Sequence, residues 1–276
     1  MKIEQLFDVR GRTAIVTGGA SGIGLGYAEG LAANGARVTL LDVDARRIDE
    51  EVARLRGAGM DVAGRVVDVT DHAALDRTID EVVAGYGRLD AAFANAGIDS
   101  GQGYVASWVG DERPRVAEAA LENYGDARWN RVIDVNLNGI FATVRAAARH
   151  MRPQRKGRIV ITTSAASQRI EPAIGAAYMA AKAGAAHFMR CVALELAGFG
   201  ISVNAIAPGM FVTNIGGGHV KDPAVQKALA KGIPMHRVGM PADMHGLALF
   251  LASDAGDYVT GQEIVIDGGL LLGQVD

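Results

Sequence analysis

Thr13-Ala14-Ile15-Val16-Thr17-Gly18-Gly19-Ala20-Ser21-Gly22-Ile23-Gly24 is the stretch whose reading decides the fold. Its first five residues are β-branched or apolar and read as a buried strand. Glycines at 18, 19, 22 and 24 follow, and Ile23 to Asn34 reads as a helix closed by Gly35. A strand that runs through a glycine turn into a helix gathers closely approaching backbone and free helix N–H groups at one point. A pyrophosphate binds such a point, so the stretch predicts a dinucleotide site. The spacing Gly18-xxx-Gly22-x-Gly24 departs from G-x-G-x-x-G, and the strand–turn–helix context carries the reading.

Outward from this stretch, short apolar runs alternate with longer amphipathic ones. Strands are predicted at Arg37 to Asp42, Val62 to Val67, Leu89 to Ala94, Arg158 to Thr163, Ile201 to Ile206 and Ile264 to Ile266. Helices are predicted at Ala45 to Arg56, Ala73 to Gly85, Ala127 to Met151, Ala177 to Gly198 and Pro241 to Leu251. Strands that are apolar throughout, each followed by a helix, imply a parallel sheet covered on both faces. Right-handed crossovers then give an α/β doubly wound, Rossmann-type sheet. No repeat or linker interrupts the pattern, and residues 1–276 read as one domain. Two stretches break the rhythm: 98–125, with a possible short helix from Val116 to Glu122, and the Gly- and Pro-rich 208–239. Both leave the carboxyl ends of predicted strands, where doubly wound sheets bind ligands.

Composition narrows the function. The chain has 276 residues, 49% hydrophobic, and a net charge of −3, which gives no electrostatic reason to bind nucleic acid or an anionic membrane. Its 36 glycines exceed the usual share of about 7% without a collagen period. The single cysteine, Cys191, cannot pair internally and fits a reducing, cytoplasmic setting. The N-terminus lacks the apolar run of a signal peptide, and no apolar stretch is long enough to span a bilayer. Six histidines show no metal-ligand spacing. His187 and Cys191 share a helix face, but two ligands make no zinc site, and no metal is expected.

Further residues carry chemistry. Asp42 ends the second strand, 18 positions beyond Gly24, where a carboxylate accepts hydrogen bonds from the adenosine ribose and repels a 2′-phosphate. Together with the absence of a basic residue before Gly22, this favours NAD over NADP. Arg46 and Arg47 belong to the exposed face of the next helix. Tyr178 and Lys182 stand at i and i+4 on a predicted helix and project from one face. An adjacent ammonium lowers a phenol pKa and makes tyrosine usable as acid or base. Ser164, at the end of the fifth strand, can stabilise a substrate oxygen of developing charge.

In order along the chain stand the glycine turn, Asn95-Ala96-Gly97, Asn136, Ser164, Tyr178-xxx-Lys182, Pro208-Gly209 and Asp267-Gly268-Gly269. Together they resemble the short-chain dehydrogenase/reductase family over essentially the whole chain. The resemblance implies a sheet of about seven parallel strands, a nicotinamide cofactor and, commonly, a homotetramer. It implies that Tyr178 is the acid/base, that Lys182 lowers its pKa and binds the nicotinamide ribose, and that Ser164 polarises the substrate oxygen. Asn136 would hold a water that links Lys182 to solvent. Gly18, Ser21, Gly22, Ile23 and Gly24 would meet the pyrophosphate. Asn95, Ala96 and Gly97 would line the adenosine side beside Asp68 and Val69, and Pro208, Gly209 and Thr213 would wrap the nicotinamide.

Two departures from the family stand out. The interval from Ser164 to Tyr178 is slightly long, which suggests a bulge, and 98–125 is well beyond the usual connection. The latter either roofs the substrate cavity or adds to a subunit interface. Within it, Trp108 is a local core or a pocket wall, whereas Met210-Phe211 is expected at the substrate. The leading expectation is an NAD-dependent oxidoreductase of a secondary alcohol, polyol or sugar hydroxyl. A 3-oxoacyl-thioester reductase, with the Arg152–Lys156 cluster as carrier patch, and a non-catalytic cofactor-binding regulator are the alternatives. Gln168, Arg169 and Glu171, if turned inward, suit a polar substrate. If they face solvent, an apolar alcohol fits better.

Overall fold

A computed structural model describes residues 2–106 and 113–273. After a short α1 (Ile3–Leu6), the chain alternates β1 (Thr13–Thr17), α2 (Gly22–Ala33), β2 (Arg37–Asp42), α3 (Ala45–Gly57), β3 (Val62–Val66), α4 (His72–Tyr86) and β4 (Ala91–Ala94). The second half runs α5 (Asp126–Ile133), α6 (Gly139–Gln154), β5 (Gly157–Thr162), α7 (Ala176–Ala197), β6 (Ile201–Pro208), α8 (Pro223–Ala230), α9 (His245–Ala252) and β7 (Glu263–Ile266). All seven strands are parallel, in the order β3-β2-β1-β4-β5-β6-β7. The order reverses between β1 and β4, so a crevice opens there beyond the carboxyl ends of the strands. This is the Rossmann-type sheet expected from the alternation of apolar runs.

Side-chain alternation along the central strands builds two cores. Ile15, Leu41 and Ile159 face α4, α6 and α7 with Leu75, Ile140 and Met189. Val16, Leu40 and Phe93 face the opposite layer with Tyr27, Leu31 and Leu251. Burial on both faces is why these strands are apolar without a polar alternation.

Three elements differ from expectation. The single helix expected from Ala127 to Met151 is divided by a π turn, Asp134–Asn138. The expected helix at Val116 to Glu122 is two 3-10 turns, Ala117–Ala119 and Leu121–Asn123. The 208–239 stretch, expected as loop, contains α8. Its start carries ordinary signals, since Asp222 accepts from the Ala224 N–H at 2.8 Å and Pro223 occupies the first turn. The glycines around it masked them. Among the described residues no helix is long and apolar enough to cross a membrane.

Candidate active site

The glycine turn is built for close approach. Gly18 and Gly22 sit at positive φ (63° and 54°), where a side chain is strained. A Cβ on Gly24 would collide with the Gly18 carbonyl and lie 2.5 Å from Asn95 Nδ2. Ser21 is the N-cap of α2 but makes no side-chain cap bond, so it does not cover the first amides of the helix. That leaves N–H donors and a side-chain-free cradle at one place, which fits a dinucleotide pyrophosphate. Ile23 and Thr213 border it, with Thr213 Cβ 3.3 Å from where a Cβ on Gly22 would stand. Gly24→Ala is expected to weaken NADH binding at least about tenfold, because overpacking costs about 1–3 kcal/mol. Fluorescence titration with NADH checks this, and unchanged affinity would contradict the cradle.

Asn95 is committed to holding the turn. Its Nδ2 donates to the carbonyls of Thr17 (3.0 Å) and Gly18 (3.3 Å), and its Oδ1 accepts from the Thr162 hydroxyl at 3.0 Å. The N–H groups of Asn95 and Ala96 both donate to Thr17 Oγ1. One amide thus ties the ends of β1, β4 and β5 together.

Asp42 leaves the end of β2 half-buried. Its Oδ2 accepts from the Ala20 N–H (3.1 Å) and its Oδ1 from the Asp44 N–H (3.2 Å), which fixes the carboxylate beside the turn. Arg46 and Arg47 pair with Glu50 and Asp44 on α3. Asp68, after β3, is exposed and folds onto the Thr70 N–H and hydroxyl, both at 2.8 Å, while Val69 is buried against Gly139.

Asn136, fully buried, explains the π turn. Its Nδ2 donates to the Val132 carbonyl (3.0 Å), four residues back, the acceptor an α-helical main-chain bond would use. The ladder widens, and the Gly139 N–H reaches back five residues to the Asp134 carbonyl. Asn136 also clasps Ile98 at its N–H (3.2 Å) and carbonyl (3.1 Å). Gly97 therefore lies between Asn136 Oδ1 and Lys182 Nζ, 2.8 and 3.6 Å respectively from the position a Cβ would take.

Ser164 follows β5 and caps the 3-10 turn Ala165–Ser167, its Oγ accepting from the Ala166 N–H at 3.1 Å. Tyr178 and Lys182 share one face of α7, with Nζ 5.6 Å from the ring centroid. Lys182 is 3% exposed, and its Nζ donates to the Thr162 carbonyl at 2.8 Å. Burial pushes its pKa down to about 8. Burial likewise raises the Tyr178 pKa above its ordinary 10, the Ser164 hydroxyl offsets part of this, and the Asp99 carboxylate adds to it. Desolvation is the largest influence on the Tyr178 phenol, and the Lys182 ammonium beside it is already engaged with the Thr162 carbonyl. At the far side, Pro208 ends β6 and the Gly209 N–H donates to the Ile266 carbonyl at 2.9 Å.

The comparisons with known proteins agree with this geometry. A family model described as enoyl-(acyl carrier protein) reductase matches residues 18–271. A cyclohexanol dehydrogenase of Rhodococcus sp. (strain TK6) is 38% identical, covering 95% of this chain and 97% of that protein. The chain belongs to the short-chain dehydrogenase/reductase family. A 3beta-hydroxysteroid dehydrogenase of Eggerthella lenta is 36% identical over 96% of this chain and 95% of its own length. A gluconate 5-dehydrogenase from Burkholderia cenocepacia J2315, solved with NADP and tartrate, superposes with a TM-score of 0.85 at 33% identity. The match covers 98% of this chain and 99% of that one. Membership makes the chain an oxidoreductase with a nicotinamide cofactor.

Around the short-chain dehydrogenase/reductase core, the loops show what the sequence did not. Residues 98–106 pair with the stretch before Tyr178, through a Gln102–Ile174 bridge and the Gly103 N–H to the Ala173 carbonyl (2.9 Å). Arg113 pairs with Glu171 at 2.6 Å, Gln168 donates to Glu263, and Arg169 to the Leu270 carbonyl. Gln168 and Arg169 are exposed, and all three polar residues are tied to neighbouring elements. Phe211, expected at the substrate, is instead 7% exposed and packed on Gly239 in the core, because residues 211 and 239 form a parallel bridge. Met210 packs with Val220, Ile233 and Val238. Trp108 lies outside the described residues. Asp99, two residues past Gly97, is the site residue that sequence reasoning missed, since no spacing rule says where the chain turns beyond β4.

Proposed function

We propose that the chain is an NAD-dependent dehydrogenase of neutral secondary alcohols, running in reverse as a ketone reductase. The observation that carries this is the placement of Ser164, Tyr178 and Lys182 beside the glycine cradle, at the reversal point of the sheet. Bound NAD supplies the acceptor for the hydride of the carbinol carbon. Tyr178 takes the hydroxyl proton, and Ser164 holds the oxygen as charge develops on it. Lys182 anchors the nicotinamide ribose and, through the space beside Gly97, passes a proton toward water held by Asn136. Residues 98–106, 113–125 and 208–239 shape the substrate side. The ties on Gln168, Arg169 and Glu171 support an alcohol that is apolar around its hydroxyl. The family relative acting on cyclohexanol supports the same class.

The choice of NAD rests on Asp42, whose fixed carboxylate opposes a 2′-phosphate. Among the neighbouring structures, the gluconate 5-dehydrogenase was solved with NADP and a 3-quinuclidinone reductase of Rhodotorula rubra is NADPH-dependent. Asp42→Ala is expected to lower KM for NADP at least about tenfold and raise it for NAD. Parallel assays at the nicotinamide absorbance decide this, and a parent enzyme that prefers NADP would overturn it. The carrier patch needed by a 3-oxoacyl-thioester reductase is largely occupied, Lys156 by Asp254 at 3.3 Å and Arg155 by the Gly198 carbonyl. The proposal extends to a cytoplasmic homotetramer, supported by exposed apolar side chains such as Leu194 on α7 and Leu272. Light scattering that reports a monomer would remove the assembly.

A further inference from the structure

A cleft of about 560 Å³ opens between the exit of β4 and α5, lined by Ile98, Asp99, Ser100, Arg128, Arg131 and Val132 among others. Arg128 is used up at its rim, donating to the carbonyls of Ser100 (2.8 Å) and Gln102 (2.5 Å). Asp99 is different. Its carboxylate is exposed and makes no hydrogen bond or ion pair among the described residues. Its Oδ2 lies 3.7 Å from where a Cβ on Gly216 would stand, so it faces the Ile215–Lys221 segment that follows β6. His219 folds back onto the Gly216 carbonyl at 2.8 Å, beside the same point.

We propose that Asp99 is a charge filter for the substrate: two residues past Gly97 and facing the 215–221 segment, its carboxylate favours neutral and cationic alcohols and rejects anionic ones. A carboxylate with no partner keeps its full charge for whatever enters beside it. The Ser100 hydroxyl donates to the Gly175 carbonyl at 3.4 Å, three residues before Tyr178, and Asn136 clasps Ile98, so the segment that carries Asp99 is fixed beside the reacting site, in line with the upward push its carboxylate gives the phenol pKa. Gly216, with its two glycine neighbours at positive φ, puts no side chain between the carboxylate and the cleft. Arg131 lines the same cleft and, among the described residues, makes no ion pair, but it is Asp99 whose carboxylate faces the 215–221 segment. An anionic group on the substrate would be held against Asp99 at the cost of like-charge repulsion, whereas an ammonium would gain. The effect is screened because the carboxylate is open to water.

This inference rests on Tyr178 as the proton acceptor, and its test separates the two. Three alcohols of one ring are compared with NAD: cyclohexanol, 4-hydroxycyclohexanecarboxylate and 4-aminocyclohexanol. Each kcat/KM is divided by that of cyclohexanol in the same variant, so that any common loss cancels. Asp99→Asn is expected to raise the carboxylate ratio about tenfold and to lower the amine ratio by a similar factor. Asp99→Lys carries both changes further. Independently of any variant, cyclohexylammonium should inhibit the parent about tenfold more tightly than cyclohexanecarboxylate, with the gap closing by about 0.5 M salt. Ratios that stay put in both variants, or inhibition indifferent to charge, overturn the filter while the dehydrogenase reading stands. A parent that turns over none of the three overturns both.

Discussion

Tyr178→Phe is expected to lower kcat for alcohol oxidation by about 10²–10⁴-fold, the range of a lost acid/base, with the unfolding temperature close to the parent's. The hydroxyl is the only atom removed, and it has the Ser164 hydroxyl rather than a structural carbonyl beside it. The direction of its pKa shift adds a second signature. Burial first, and then Asp99, hold the phenol above its ordinary 10, so it is protonated at neutral pH. Oxidation needs the deprotonated form and should accelerate as pH rises above neutral. Ketone reduction needs the protonated form and should stay level over the same span before it falls. Steady-state rates in both directions check this. Parent-like oxidation by the phenylalanine variant would remove Tyr178 from the chemistry.

Lys182→Met is the second large effect, and it is expected to separate activity from stability. Activity should fall about 10²-fold or more with the loss of the ribose anchor and proton path. Stability should move the other way. The Lys182 pKa falls to about 8 in the folded chain against 10.5 when exposed, a penalty of about 3 kcal/mol on the charged form. A lysine whose folded pKa is depressed is protonated in both states at pH 7, so the penalty is present in full there. Between pH 8 and 10.5 the unfolded chain binds more protons, and the parent gains stability as pH rises. The variant leaves the Thr162 carbonyl without its donor, at about 1–2 kcal/mol. The net expectation is a variant about 1–2 kcal/mol more stable at pH 7, with that advantage lost as pH approaches 10.5. Denaturant melts at pH 7 and pH 10 test it, and a variant equally destabilised at both would contradict the reading of a costly buried cation.

Legibility from sequence followed the range of the forces involved. β1, the glycine turn and Asp42 could be read because strand burial, backbone freedom and a strand-end carboxylate are local properties. Asn136 could be singled out, but not the π turn it creates, since a side-chain bond to the Val132 carbonyl competes with a ladder that periodicity assumes intact. Phe211 was misplaced for a similar reason. Its neighbour is Gly239, and only the tertiary pairing of those residues turns an apparent loop aromatic into core. The tyrosine–lysine spacing correctly put both groups on one face, but whether the ammonium or desolvation dominates depends on depth, which spacing does not encode. Asp222-Pro223 was a readable helix start that the surrounding glycines outweighed.

The pairing of residues 98–106 with the stretch before Tyr178 bears on how such enzymes diversify. Gly103 lies so close to Pro172 and Ile174 that a Cβ would collide with both carbonyls, and Arg113 reaches across to Glu171. The two segments are interlocked although some 70 positions separate them along the chain. They form a single heritable unit. A recombinant that swaps one against a relative's version of the other inherits two mismatched halves of one clasp, four residues before the tyrosine. Substrate range in this scaffold therefore changes by co-transfer of both stretches, and chimeras cut between them lose the clasp whichever parent they favour.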